Sequence, residues 1–153
     1  MTPRKDLNDI LKPIEHYLTA VDEAVKSKLY TGIDLLDDSS MHTFKKSGKK
    51  IRASMIILSS GLNSTIPDDI IDIASAAEII HAASLVHDDI IDNADLRRGL
   101  PTVSRKYGPK VAVLAGDYMY TKALEIAVGN NRTDLFPIMV GATVEMVKGE
   151  LYQ

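Results

Sequence analysis

At 153 residues with a hydrophobic share of 45%, the chain has the size and apolar content of one domain with a buried core, and not the composition of a disordered segment. Its formal net charge of −3 argues against non-specific nucleic-acid binding, which needs a basic face. It has no cysteine, so disulfides, thiolate zinc sites and cysteine nucleophiles are excluded, and the composition fits a reducing, cytoplasmic setting.

The start, Met1-Thr2-Pro3-Arg4-Lys5-Asp6, leads into a polar amphipathic segment rather than a signal peptide. Leu7, Ile10, Leu11, Ile14, Leu18, Val21 and Val25 recur at helical spacing, with a kink expected at Pro13 and a break at Gly32. A short helix is expected over 34–46, ending near Gly48. Lys49 to Ser60 forms the next, with Gly61 as its C-terminal cap. Pro67-Asp68-Asp69 reads as a helix start, with proline in the first turn and acids beside the positive end of the dipole. That helix is expected to run to about Asn93. Its apolar stretch from Ile70 to Ile91 is broken by Asp72, Glu78, His81 and Asp88, which marks a buried helix and not a membrane span. Residues 95–101 read as a loop. A short helix over 102–107 stops at Gly108-Pro109, and a longer one over 110–128 ends at Gly129-Asn130-Asn131. Thr133 or Asp134 is expected to cap the last helix, which is still periodic from Val144 to Gln153. Such a pattern suggests a truncated chain or a partner that continues the core. The whole reads as one all-α domain over 1–153, an antiparallel bundle of about six or seven helices, without strand alternation or repeats.

The chemistry concentrates at His87-Asp88-Asp89-Ile90-Ile91-Asp92, followed by Asp95 and Arg97-Arg98-Gly99-Leu100-Pro101-Thr102. Helical spacing places Ala77, His81, Ser84, Asp88 and Asp92 on one stripe, with Asp89 rotated by about 100° to its margin. Magnesium is commonly held by one or two carboxylates plus substrate phosphates, and an i, i+4 pair such as Asp88 and Asp92 suits that. A bare acidic pair is more often a solvated helix end. Here, though, the acids end a buried helix, where the dipole is unfavourable to them, and a cation resolves that tension. Arg97 and Arg98 offer planar donor forks that match phosphate oxygens, or else form surface ion pairs with Asp92 or Asp95. Gly48-Lys49-Lys50-Ile51-Arg52 is a basic cluster at a helix start, which suits an anion but is more often a solvated turn. His81 reads alone as a satisfied core histidine, and His87 as a partner of the aspartates. Asp117, in Gly116-Asp117, bonds a neighbouring helix or faces the same cavity, and residues 118–120 read as core.

Assembled, these residues resemble the N-terminal half of a trans-polyprenyl diphosphate synthase. The resemblance runs from about Lys46 to Gln153. It includes residues 48–52, the run from Glu78 to His87, the aspartates 88, 89 and 92, residues 97–102, Leu114-Ala115-Gly116-Asp117 and Gly149-Glu150-Leu151-Tyr152-Gln153. Ala53 stands where the family usually has proline. The resemblance implies half of an isoprenoid synthase fold, with helices around a deep cavity. It implies that Asp88 and Asp92, with Asp89 in support, hold Mg2+ on an allylic diphosphate that Arg97 also touches. It assigns isopentenyl diphosphate to Lys49, Arg52, His81 and Arg98. Product length is implied to follow Ala83 and Ser84, with Ile80 and Ala77 deeper, and these small side chains lead us to expect twenty carbons or more. The family needs a second aspartate-rich motif, so these residues alone are expected to be inactive and to self-associate, as a homodimer or otherwise. Three other readings remain: a non-catalytic or regulatory subunit of a heteromeric synthase, a metal phosphohydrolase using His87 and Asp88 with His42 or His81, and a purely structural helical module, which leaves the buried acids unexplained.

Overall fold

In a computed structural model, which describes residues 6–46, 48–63 and 66–152, the chain winds helix after helix around one long central helix. The expectations placed on residues 1–5 and on Gln153 lie outside the described residues.

Helix α1 (Leu7–Leu11) opens on a reciprocal capping box, with Asp6 accepting from the Asp9 amide at 2.9 Å. Pro13 has no amide hydrogen to donate, so the chain tightens into a 3-10 turn over Lys12–Ile14 before α2 (Glu15–Leu29). The expected kink is therefore present. Helix α2 buries Leu18, Val21, Val25 and Leu29, spaced by three and four residues, against the core. Asp37 ties the following turn by accepting from the amides of Thr31 (2.8 Å) and Gly32 (3.0 Å), which starts α3 (Asp34–His42).

Helix α4 (Ile51–Ser60) reaches Gly61 as expected, but Gly61 stays right-handed (φ −65°) and continues into a 3-10 turn over Gly61–Asn63. Central helix α5 (Ile70–Ile91) packs against α2, α4 and α7 (Pro109–Gly129). Its buried residues mix Ile70, Ile79, Ile80 and Val86 with small ones (Ala74, Ser75, Ala76, Ala82, Ala83), and α7 adds Ala112, Ala115, Gly116 and Ala123 beside Met119 and Ile126. Small side chains on both faces let the two backbones approach closely. The most apolar window of α5 is long enough to cross a membrane, but half of it is buried inside this fold, and Asp72 pairs with Lys28 at 2.9 Å. Asn93, left-handed at φ 51°, ends the helix.

The segment expected to be a loop is a small antiparallel hairpin, β1 (Leu96–Arg97) with β2 (Leu100–Pro101). Arg98 and Gly99, at φ 51° and 74°, form its two-residue turn, as hairpin twist requires. Thr102 caps α6 (Val103–Tyr107) by accepting from the Arg105 amide at 3.1 Å. The cap expected from Thr133 or Asp134 is absent: a 3-10 turn over Thr133–Leu135 leads into α8 (Phe136–Leu151) without a side-chain cap. Asp134 instead pairs with Arg132 at 3.0 Å, and Arg132 also holds Asp69 at 3.0 Å, joining this turn to the start of α5. Among the described residues there are eight α-helices, the first two joined through the 3-10 turn at Pro13, and three 3-10 turns, so the expected all-α architecture holds, with slightly more helices than the six or seven expected.

Candidate functional site

Two cavities lie on opposite faces of α5. The first, about 610 Å³, sits between α2, α4, the C-terminal half of α5 and the hairpin. Helix α5 gives it Glu78, His81, Ala82, Leu85, Val86 and Asp89. The second, about 360 Å³, takes Ile80, Ala83, Ser84, His87, Asp88 and Ile91 from α5, closed by Asp117 and Tyr120 of α7 and by one face of α8. At about 100° per residue these two sets form stripes whose centres are nearly opposite on the helix. His81 and Asp88 fall at the border between them.

The first cavity is basic. Lys49 and Arg52 enter from the start of α4, and Arg97 and Arg98 from the hairpin. Besides the Arg97–Asp89 contact, the hairpin is tied to the rest of the wall through His42 and Lys46. His42 Nε2 donates to the Pro101 carbonyl at 2.7 Å, and Lys46 Nζ donates to the Arg98 carbonyl at 2.8 Å. Gly48 gives the Arg98 guanidinium room, since a side chain there would meet it at 2.8 Å. His81 is half-buried in this wall. Burial, and then the positive charges of Arg52, Arg98 and Arg97, push its imidazole down to about 4. It is therefore neutral at pH 7 and presents one donor and one acceptor.

That displacement has a stability consequence. A histidine whose folded value lies below its unfolded value of about 6.5 makes the unfolded chain the better proton binder between the two. Stability contributed by neutral His81 is present above pH 6.5 and is lost as pH falls toward 4. Proton-detected titration of the His81 ring is expected to give a midpoint near 4, and His81→Gln should flatten the acid limb of the stability profile. A midpoint near 6.5 would remove the electrostatic account of this wall.

Asp88 and Asp89 part company at the cavity boundary. Asp89 is 4% exposed and accepts from Arg97 Nε at 2.8 Å in the basic cavity. Asp88 lines the second cavity, where burial pushes its carboxyl above the ordinary value. Arg97 offsets this, and the charges of Asp92 and Asp89 add to it. Asp92 is the exposed C-cap of α5 and lines neither cavity. The expected single stripe is thus divided, and Arg97 lies with Asp89 rather than in the cavity of Asp88. Among the described residues no three acid or imidazole groups converge as a ready-made metal site. A carboxylate held among like charges still fits a cation that arrives with phosphate oxygens of its own, the usual mode for magnesium.

The second cavity is mainly apolar below Asp88. Ile80, Ala83 and Ser84 line it, and Ala77, a turn deeper, does not. Helix α8 adds Thr143, Met146, Val147, Glu150 and Leu151. Their three- and four-residue spacing was visible in the sequence, but their target was not. His87 turns to α7, with Nε2 3.3 Å from the Val113 carbonyl and 3.5 Å from Asp117 Oδ1. Its ring occupies the space where a side chain at Gly116 would stand. Asp117 therefore both contacts a neighbouring helix and lines the cavity. Sequence reasoning missed Asp22, read Lys50 only as one member of the basic cluster and assigned Glu78 no contact, yet all three line the basic cavity.

An all-helical domain with these two cavities across its core helix is similar in fold to solved isoprenoid synthases. The crystal structure of polyprenyl synthase from Caulobacter crescentus, complexed with calcium and isoprenyl diphosphate, matches 99% of this chain and 47% of its own, at a TM-score of 0.91 and 27% identity. The geranylgeranyl pyrophosphate synthetase of the archaeon Geoglobus acetivorans matches 90% of this chain and 47% of its own, at 0.83 and 30%. Among curated proteins, a prenyl transferase of Cyanophora paradoxa is 33% identical over 150 residues, which are 95% of this chain and 46% of that protein. Component 2 of the heptaprenyl diphosphate synthase of Geobacillus stearothermophilus is 35% identical over 138 residues, 89% and 42% of the two chains. The polyprenyl synthetase family model matches residues 33–153, and the chain belongs to that family. It spans about half the length of the curated relatives it matches.

Proposed function

We propose that the protein serves a trans-polyprenyl diphosphate synthase, which joins isopentenyl diphosphate to an allylic diphosphate. The observation that carries this reading is the division made by α5: a basic cavity on one face, and an apolar cavity topped by Asp88 on the other. A diphosphate with a short tail suits the first, and a diphosphate with a long tail and a counter-cation suits the second. Magnesium, when bound, neutralises the charge that builds on the departing diphosphate. Asp88 would hold it, with Asp92 at the helix end. Asp89 acts in support by fixing Arg97 at the junction of the two sites.

Lys49, Arg52, Arg98 and neutral His81 hold the isopentenyl diphosphate and orient its double bond. The allylic C–O bond breaks, the isopentenyl double bond supplies the new C–C bond, and a proton then leaves to the released diphosphate. No enzyme nucleophile is required. The apolar wall of Ile80, Ala83 and Met146 excludes water from the allylic carbocation left when the C–O bond breaks. Small side chains at Ala83 and Ser84 leave the tail an open path, which supports a product of twenty carbons or more.

These residues carry one aspartate-rich segment, and we expect this chain alone to bind without turning over. Helix α8 buries none of its residues and exposes Ile138, Val147 and Leu151, which supports self-association. A role as one subunit of a heteromeric synthase is the second reading, favoured by the likeness to component 2 of the heptaprenyl enzymes of Geobacillus stearothermophilus and Bacillus subtilis. The phosphohydrolase reading has no geometric support: His42 and His81 line the basic cavity and His87 the other.

The test is incorporation of labelled isopentenyl diphosphate with an allylic diphosphate and magnesium, using this chain. Magnesium-dependent binding of the allylic diphosphate without extracted product is the expected result. Long-chain product that disappears with Asp88→Ala would mean that the chain assembles a full site between subunits. Neither binding nor product would sink the reading.

A further inference from the structure

Among the described residues, four besides glycine have left-handed backbone: Lys50, Asn93, Arg98 and Asn131. Asparagine tolerates that conformation, but a long basic side chain pays for it sterically. Lys50 and Arg98 both line the basic cavity. Lys50 carries a second cost. It is the N-cap of α4, where an extended Ser, Thr or Asp is preferred, and it makes no side-chain cap.

Its side chain shows what offsets these costs. Lys50 Nζ donates to the Leu18 carbonyl at 3.2 Å and pairs closely with the Asp22 carboxylate, both on α2. The orphan amide of Ala53, in the first turn of α4, is satisfied from the other side by Glu78 Oε1 at 3.0 Å. The start of α4 is thus strapped to α2 by Asp22 and to α5 by Glu78. Lys49 and Arg52 flank the strap. Observed strain at a binding wall is a sign of pre-organisation.

We infer that Asp22 is a positioning residue for the basic cavity: through Lys50 it holds the start of α4 in its left-handed entry, so that Lys49 and Arg52 meet a diphosphate already in place. The inference rests on reading that cavity as a diphosphate site. It makes a prediction opposite in sign to simple charge counting. Asp22 is an anion on the wall of an anion site, so by Coulomb's law its removal strengthens binding. By positioning, its removal weakens binding.

The experiment is calorimetric titration of this chain with inorganic pyrophosphate, without magnesium, below the melting transition of every variant. Asp22→Asn is expected to weaken pyrophosphate binding by about tenfold, the size of one lost charge-assisted contact. The exchange Asp22→Lys with Lys50→Asp restores the pair, and is expected to bind within about threefold of wild type, a coupling that a double-mutant cycle isolates. Unchanged or tighter binding by Asp22→Asn overturns the inference, as does an exchange variant no better than the single one. Lys49→Ala separates this from the underlying reading. If Lys49→Ala weakens binding while Asp22→Asn does not, the cavity reading stands and the positioning role falls. A wild-type chain that does not bind pyrophosphate overturns both.

Discussion

Replacing Arg97 with methionine is expected to lower the melting temperature of the chain by about 10 °C. The reason is Asp89, whose carboxylate is 4% exposed and whose side-chain partner is Arg97 at 2.8 Å. Breaking a buried pair by removing one member costs about 3–5 kcal/mol, because the other charge stays buried and unpaired. Arg97 is itself about a third exposed, so water screens part of the loss, and about 3 kcal/mol is the appropriate end of that range. For a chain of this size each kcal/mol moves the midpoint by about 2–4 °C. The double change Arg97→Met with Asp89→Leu removes both charges and should recover most of the stability. Calorimetry that finds Arg97→Met within about 1 °C of wild type would mean that Asp89 is not committed to this pair, and would reopen it as a ligand of the neighbouring site.

Asp88→Ala is expected to act in the opposite way. Magnesium-dependent affinity for an allylic diphosphate should fall by about two to three orders of magnitude, comparable to removing one directed group from a charge-stabilising site. Stability without ligand should stay level or rise. Burial and the nearby Asp92 and Asp89 raise the folded value of Asp88, so the folded state holds this proton more tightly than the unfolded chain does. An acid shifted that way costs stability once pH passes its unfolded value, and removing it removes the cost. Stability surrendered at a binding group is expected where function and folding compete. A variant that keeps its affinity, or that unfolds like Arg97→Met, contradicts the division of labour between Asp88 and Asp89.

Much of this architecture was legible from spacing. The apolar period of α2 and the Pro13 bend followed from helix geometry, whereas the close packing of α5 on α7 through small residues emerged only with the fold. The hairpin did not show, because strands of two residues are too short to alternate, and its only signal was Arg98-Gly99 as a left-handed turn. The last helix start also misled. Asp134 has the chemistry of a cap but is captured by Arg132, a contact that depends on tertiary placement. At the site, the residue types and their neighbourhood were readable, and the side each faces was not. Asp88 and Asp89 differ by one position on a helix that divides two cavities, so about 100° of rotation sends them to different sites. Spacing along one helix describes that helix alone, whereas the division is made by what packs around it. Asp22 was invisible for the same reason, lying 28 positions from Lys50 in sequence.

The central claim is that α5 separates two diphosphate sites with different chemistry, and the most direct measurement is paired calorimetric binding to this chain. Isopentenyl diphosphate and an allylic diphosphate are titrated with and without magnesium, against wild type, Asp88→Ala and Arg52→Ala. The account predicts that isopentenyl diphosphate binds without the metal and is lost with Arg52→Ala, while the allylic ligand needs magnesium and is lost with Asp88→Ala. If one substitution abolishes both ligands, or if neither ligand responds to magnesium, the two faces of α5 do not form separate sites and the account fails.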